Sequence, residues 1–227
     1  MRLSSLPLLA ATALLAVALL APLAAPAYSQ AQDPRFQTDE EAIAFTFARY
    51  RNAVLARDGA TAYDCVDENT RAYYDRLIDL IKFGEMETLR AQTYTDLTII
   101  LSSRQFIERD VLVEMTGRDL FVNAVDKGWT DRELVAAGLG PVSIDGTTAL
   151  SRATISNVHT LFHWIFRLED QRWRLDLAAQ LEAIDGGIRE MLTAEGLDSA
   201  DLAFAMLVRG AGTDVVTDEV WQPLVQR

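Results

Sequence analysis

His159 and His163 are the only histidines in the chain of 227 residues. Four positions apart on a helix they would share a face and could grip one metal ion. Their surroundings, Val158 to Glu169, read instead as a strand of alternating and branched residues. At ~3.3 Å per residue, a strand holds them about 13 Å apart, whereas two ligands of one zinc ion each sit ~2 Å from it. Shared coordination is excluded on a strand. No His-Glu-x-x-His or Cys-x-x-Cys run occurs elsewhere, so no metal and no other cofactor is expected. Alternation puts His159, His163 and Arg167 on one face of the sheet. Asp176, on the next strand, falls diagonal to His163 and Arg167, within reach of long side chains. That carboxylate could orient His163; the simpler expectation is an ion pair on an exposed or dimer-facing sheet surface.

Other reactive groups are sparse. Cys65, the single cysteine, excludes an internal disulfide and is expected to be a buried small hydrophobe. Gly-x-Ser-x-Gly, P-loop and dinucleotide-binding glycine patterns are absent, and no catalytic residue is assigned. Aromatic side chains are the remaining signal. Tyr50, Tyr63, Tyr73, Phe162, Trp164 and Phe166 are the candidates for an apolar pocket between helices and sheet, with tyrosine hydroxyls as its few polar points.

These residues need elements to hold them. Thr38 followed by Glu41 is a capping box opening a helix, which Gly59 closes. Ile43, Phe47, Tyr50 and Val54 fall on one face of it. A short helical piece over Thr61 to Val66 precedes a long one from Asn69 to Gly84, with Tyr73, Leu77, Leu80 and Ile81 inward. Broken helical pieces follow over Met86 to Ser103, Glu108 to Met115 and Arg118 to Lys127. After Gly140-Pro141 the period changes to that of strands: Thr148 to Ser156, Val158 to Glu169 and Arg172 to Leu177, with Asp145-Gly146 as a hairpin turn. Helices return over Ala178 to Ala194 and Asp198 to Leu207.

The last hairpin has a derivable register. A two-residue loop at Asp170-Gln171 sets Leu168 against Trp173, Phe166 against Leu175 and Trp164 against Leu177. A three-residue loop sets the same three residues against Arg172, Arg174 and Asp176, because one slip exchanges the faces. Burying apolar partners together is favoured by roughly 1.5 to 3 kcal/mol per side chain, so the two-residue loop is expected.

The ends and the charge bound the setting. Arg2, the Leu/Ala run from Leu6 to Ala25 and small residues at cleavage spacing form the pattern of a secretory signal peptide over residues 1–31. Cleavage sites fit after Ala27 and after Ala31, and the second is preferred. A cleaved segment leaves no stable membrane anchor and a periplasmic or secreted location. The mature part, residues 32–227, is expected to be one domain: a core over about 38–177, a helical extension over 178–209 and a tail over 210–227. A formal net charge of −12 without clustered Lys and Arg excludes nucleic acid as a partner.

Tyr50 to Val66, with Asp58-Gly59, Tyr63 and Val66, and Phe166 to Leu177 (Phe-Arg-Leu-Glu-Asp-Gln-Arg-Trp-Arg-Leu-Asp-Leu) resemble the nuclear transport factor 2-like superfamily, in particular its exported bacterial members of unassigned function. Gln171 stands where such relatives commonly have Gly. The resemblance implies an α+β fold, a curved antiparallel sheet wrapped around a long N-terminal helix as a cone. Here the helical middle is enlarged and a helical C-terminal extension is added. That superfamily holds isomerases, cyclases, adaptors and binding modules, so fold does not choose function. Three readings follow: a non-catalytic exported domain binding a small apolar ligand or an envelope protein; an isomerase or cyclase acting in the cone; and a structural subunit that forms a homodimer through a sheet face.

Overall fold

Thr38 caps the first helix, α1 (Asp39–Leu55), its Oγ1 accepting the Glu41 amide at 3.2 Å. The Glu41 carboxylate reaches past the cap to the Gln37 amide at 2.9 Å, so the expected box is stretched by one residue. Gly59 does not close this helix. Arg57 makes the left-handed turn, at φ 58°, and Gly59 begins α2 (Gly59–Asp64), capped by Asp58. Glycine is needed there for packing: a Cβ would stand 2.6 Å from the Val122 carbonyl oxygen, and the Gly59 amide donates to Asp126 at 2.8 Å.

A computed structural model describes residues 35–129, 135–212 and 215–226. The described residues fall in one compact unit. The signal pattern and both cleavage sites lie outside them. After α2 come α3 (Glu68–Phe83), α4 (Met86–Arg90), α5 (Tyr94–Phe106), α6 (Arg109–Glu114) and α7 (Gly117–Asp126). Four strands follow, β1 (Ala137–Asp145), β2 (Thr148–Ile155), β3 (Val158–Glu169) and β4 (Arg172–Leu175), then α8 (Leu177–Glu195) and α9 (Ser199–Ala211). The protein is α+β, with a curved antiparallel sheet in the order β1-β2-β3-β4. No described helix is long and apolar enough to cross a membrane.

The last hairpin has the two-residue loop, with Phe166 opposite Leu175 and Leu168 opposite Trp173. Asp170 and Gln171 both take positive φ, 46° and 64°, the geometry that matches strand twist in such loops. The ladder stops at Leu175 and does not reach Leu177. Asp176 caps α8 instead, its Oδ1 accepting the Ala179 amide at 2.9 Å, so Leu177 is the first residue of a helix and not the partner of Trp164.

Between β2 and β3 the register shifts after Arg152↔His163 and resumes at Thr154↔His159. One residue on β2 therefore faces three on β3, Thr160, Leu161 and Phe162. Thr160 ties this bulge together: its hydroxyl donates to the Ala153 carbonyl at 3.0 Å and accepts the Phe162 amide at 3.2 Å. Beyond the bulge, Ser156 and Asn157 form a second turn with positive φ.

Helices and sheet share one core. Ile43, Phe47, Tyr50 and Val54 of α1 are buried as their spacing predicts, together with Leu77 and Ile81 of α3 and Trp164, Phe166 and Trp173 of the sheet. On α3 the buried tyrosine is Tyr74, while Tyr73 and Leu80 are half-buried. The Trp173 indole donates to Asp39 at 2.9 Å and the Thr46 hydroxyl to the Trp173 carbonyl at 2.9 Å, which pins α1 to β4. Arg104 closes the C-terminal end of α3 by donating to the carbonyls of Leu80, Ile81 and Gly84, and it also holds that of Val220. Burial lowers its pKa to about 10. Val216, Val220 and Trp221 are buried, so the chain after α9 is part of the packing.

Candidate functional site

Three places collect functional groups: the end of the sheet at β4, a groove beside α8, and the outer end of the β2–β3 hairpin.

At the β4 end, Asp176 is fully buried and its Oδ2 accepts from Arg167 Nε at 3.0 Å. Asn69 Nδ2 donates to its Oδ1 at 2.9 Å, and Arg167 also donates to the Thr148 hydroxyl. The ion pair expected between Arg167 and Asp176 is present, but its carboxylate is buried while the Arg167 side chain stays 42% exposed. The reason is α8, which starts at this carboxylate and covers it. Asp176 is directly across from Ile165, whose carbonyl accepts its amide at 2.8 Å. His163 does not join: it is exposed, paired with Arg152 across the ladder. His159 is exposed as well, with its ring edge over Gly140, where an added Cβ would meet it at 3.0 Å. The sheet-face candidates thus divide into an ion pair, with Asp176 buried and Arg167 part-exposed, and two histidines at the open end. Beside the pair, Asp67 caps α3 by accepting the Thr70 amide at 2.9 Å, while its other oxygen is buried with no partner. Burial, and then the nearby charges of Asp176 and Glu169, hold its pKa above the ordinary carboxylate value.

The pocket candidates are not brought together around a hollow. Tyr50, Trp164 and Phe166 are buried in the common core, Trp164 lying 5.0 Å from Phe47 ring to ring and donating to the Gly138 carbonyl at 3.2 Å. Burial raises the pKa of Tyr50. Tyr63 is half-buried against Phe121, with Arg71 and Arg118 over its ring. Phe162 is 48% exposed, because the bulge at Thr160 carries it beyond the cover of the helices.

Tyr73 alone of the six lines a groove, of about 380 Å³, between α3, the start of α5 and α8. Its hydroxyl donates to Asp96 at 2.8 Å, and Arg76 donates to the other oxygen of Asp96 at 2.9 Å. Burial and then the Asp96 charge raise the Tyr73 pKa. Asp185 of α8 accepts the Thr95 amide at 3.0 Å. Asp96 and Asp185 are only 4% and 6% exposed, yet each is engaged at the N-terminus of α5, where carboxylates stabilise a helix. These charged groups are organised for structure, and none is poised against a nucleophile. Cys65 lies 3.3 Å from the Thr61 carbonyl, and burial raises its pKa to about 11, so the thiol form prevails and nucleophilic use is disfavoured.

The third place was marked only in part: His159, His163 and Phe162 are candidates from spacing, whereas Ile155, Val158 and Leu161 are not. Val158 and Leu161 are 69% and 86% exposed, and Ile155 and Phe162 stand out beside them. Around them are Arg152, His159 and His163. From Val135 to Leu168 the sequence contains one acidic residue, Asp145, and it sits at the opposite end of the strands. A signal existed in that run, in a chain with 33 acidic residues, but it is a signal of composition and not of spacing.

No family model, curated protein or solved structure matches the chain.

Proposed function

We propose that the chain is an exported, periplasmic or secreted, non-catalytic binding domain of the nuclear transport factor 2-like type, and that it acts by contact through the outer β2–β3 hairpin. In this reading the sheet curves around α1, an arrangement supported by the contacts of Trp173 with Asp39 and Thr46. The observation that carries the function is the hairpin itself: four large apolar side chains, Ile155, Val158, Leu161 and Phe162, stand exposed on one projection. Exposed apolar residues scattered singly need no explanation, whereas a contiguous group marks a contact surface.

A small apolar ligand inside the cone has less support, because Tyr50, Trp164 and Phe166 are buried in a packed core. Isomerase or cyclase chemistry would need an acid or base facing a cavity, and the buried carboxylates named above are engaged in caps and ion pairs. Photo-crosslinking in an exporting cell tests the reading. A photoreactive side chain at Leu161 should give adducts that the same group at Met191, exposed on α8, does not. Equal yields at both positions, or none at Leu161, would sink it.

A further inference from the structure

The charge around the hairpin says what kind of surface it fits. We propose that the outer β2–β3 hairpin docks reversibly on a bilayer containing anionic phospholipid, with Leu161 and Phe162 entering the interface and Arg152, His159 and His163 meeting headgroup phosphates. This rests on the reading of the hairpin as the contact surface and names its partner.

The apolar part is in place: Leu161 is 86% exposed and Val158 69%, at the end of the sheet farthest from Asp145, Glu169 and Asp170. Beside them stand one cation, Arg152, whose Nε donates to the Thr160 carbonyl at 2.8 Å, and the imidazoles of His159 and His163 as hydrogen-bonding groups; large apolar side chains next to basic residues are the composition of segments that lie in a membrane interface. The protein as a whole is acidic, at −12, and an anionic bilayer would repel most of its surface. Along the sheet, however, the turn at Ser156-Asn157 and the acidic turns at the other end are separated by the length of β2, roughly 25 Å at ~3.3 Å per residue. That exceeds the Debye length of ~8 Å at physiological ionic strength, so the acidic end is screened when only the tip touches.

Backbone chemistry sets the depth. Val158, His159 and His163 of β3 pair with β2 on one edge, with residues 160–162 in the bulge, while β4 pairs only with residues 166–169. An open strand edge cannot enter hydrocarbon, where its polar groups have no water. The hairpin therefore rests at the headgroup level and inserts side chains only. The bulge fits this: the Phe162 amide is satisfied by Thr160, so the residue that presents two adjacent apolar side chains needs no water for that group. A second copy offers the same acid-free hairpin, and pairing through β3 would bring His159 and His163 beside their own counterparts. It supplies no complementary charge, so a bilayer is favoured over a homodimer.

The test uses the full chain. Cys65 is buried and its thiol is held protonated, so Leu161→Cys is the single position that takes an environment-sensitive fluorophore, and Met191→Cys serves as the comparison. Vesicles of phosphatidylcholine, with and without phosphatidylglycerol, are titrated in, and each mixture is also run by sedimentation. The expected result is a saturable blue shift at position 161 on anionic vesicles only, none at position 191, and binding weakened about fivefold by Arg152→Gln, the effect of one cation near such a surface. An apolar N-terminal run that adsorbs by itself gives no dependence on Arg152. A label at 161 that stays unchanged, or responds equally to neutral vesicles, overturns the lipid proposal. If it is unchanged but the chain self-associates and Leu161→Ser abolishes that, the contact reading stands with a second copy as partner. If crosslinking at 161 also fails, both fall.

Discussion

The two ends of the sheet are made of the same strands and end in different surroundings. At the β4 end, α1 and α8 close over β3, and Trp173, Leu175 and Phe166 are buried with Arg167 and Asp176 paired beneath them. At the hairpin end the same strand β3 continues with residues of similar type, Val158, Leu161 and Phe162, and they stand 69%, 86% and 48% exposed. Strand alternation sorts residues into faces; burial depends on whether an element arrives to cover the face. The acidic turns Asp145 and Asp170 lie at the covered end, and among the described strand and turn residues the uncovered end has none. The difference separates a part of the sheet that holds the fold from a part available for contact.

The most severe way to break the comparison is to remove a large side chain from the boundary between the two ends. Trp164, packed on Phe47, lies one ladder step from His163, which is exposed. Trp164→Ala is expected to cost about 3 to 5 kcal/mol, as for other buried large aromatics, and His163→Ala less than about 1. Equal losses in urea denaturation would show that cover does not divide them.

How far the sequence shows this division depends on what each part needs. The register of the last hairpin was legible, because Phe166, Leu168, Trp173 and Leu175 have only one pairing that puts apolar groups together. The end of β4 was not: Asp176 fits a strand by alternation, and only the helix that follows reveals it as a cap. Gly59 reads as a helix stop, yet the left-handed residue is Arg57 and the glycine serves a contact with α7, which is distant in sequence. Likewise the break between the helical pieces ending at Met115 and beginning at Arg118 is a capping box, Thr116 with Asp119, that begins α7 at Gly117. The bulge at Thr160 has no composition signal, since Thr-Leu-Phe suits a regular strand, and so Phe162 reads as a pocket residue, whereas it stands 48% exposed beside the bulge.

At the covered end, Asp176→Ala would remove the acceptor of Arg167, Asn69 and the α8 amide at once. Breaking a buried pair costs about 3 to 5 kcal/mol. Arg167 is part-exposed and can rehydrate, so about 2 to 3 is expected, with the N-terminal turn of α8 exchanging amide hydrogen faster. A loss below about 1 kcal/mol would mean that the pair is dispensable and that this end is held by apolar packing alone.

A smaller effect should appear with pH. The folded state raises the pKa of Asp67 above its ordinary 3.8, chiefly by burial, so folding favours the protonated form. The sign is then fixed: the group costs nothing below its unfolded pKa, and stability falls as pH rises from there through the raised folded value. Asp67→Asn keeps an oxygen to cap α3 and removes that loss. The variant should gain on the wild type as pH rises from about 3.8 and hold a constant advantage above the folded pKa. Parallel stability curves for the two proteins would refute this.

The smallest stability effect is expected at the open end, and it is the most informative for function. Leu161 and Phe162 are large and apolar, and on composition alone Leu161→Ser with Phe162→Ser would be a damaging pair of changes. Leu161 is 86% exposed, however, so serine there surrenders little buried area. Phe162 is 48% exposed, while the Thr160 hydrogen bonds that shape the bulge use the Ala153 carbonyl and the residue 162 amide and survive the exchange. The double variant should therefore unfold within about 0.5 kcal/mol of the wild type, the usual range for surface changes, and should also lose the contact at position 161. A stability loss of about 2 kcal/mol or more, the scale of a buried side chain, would show that the hairpin is covered in the folded protein, and the contrast between the two ends would disappear.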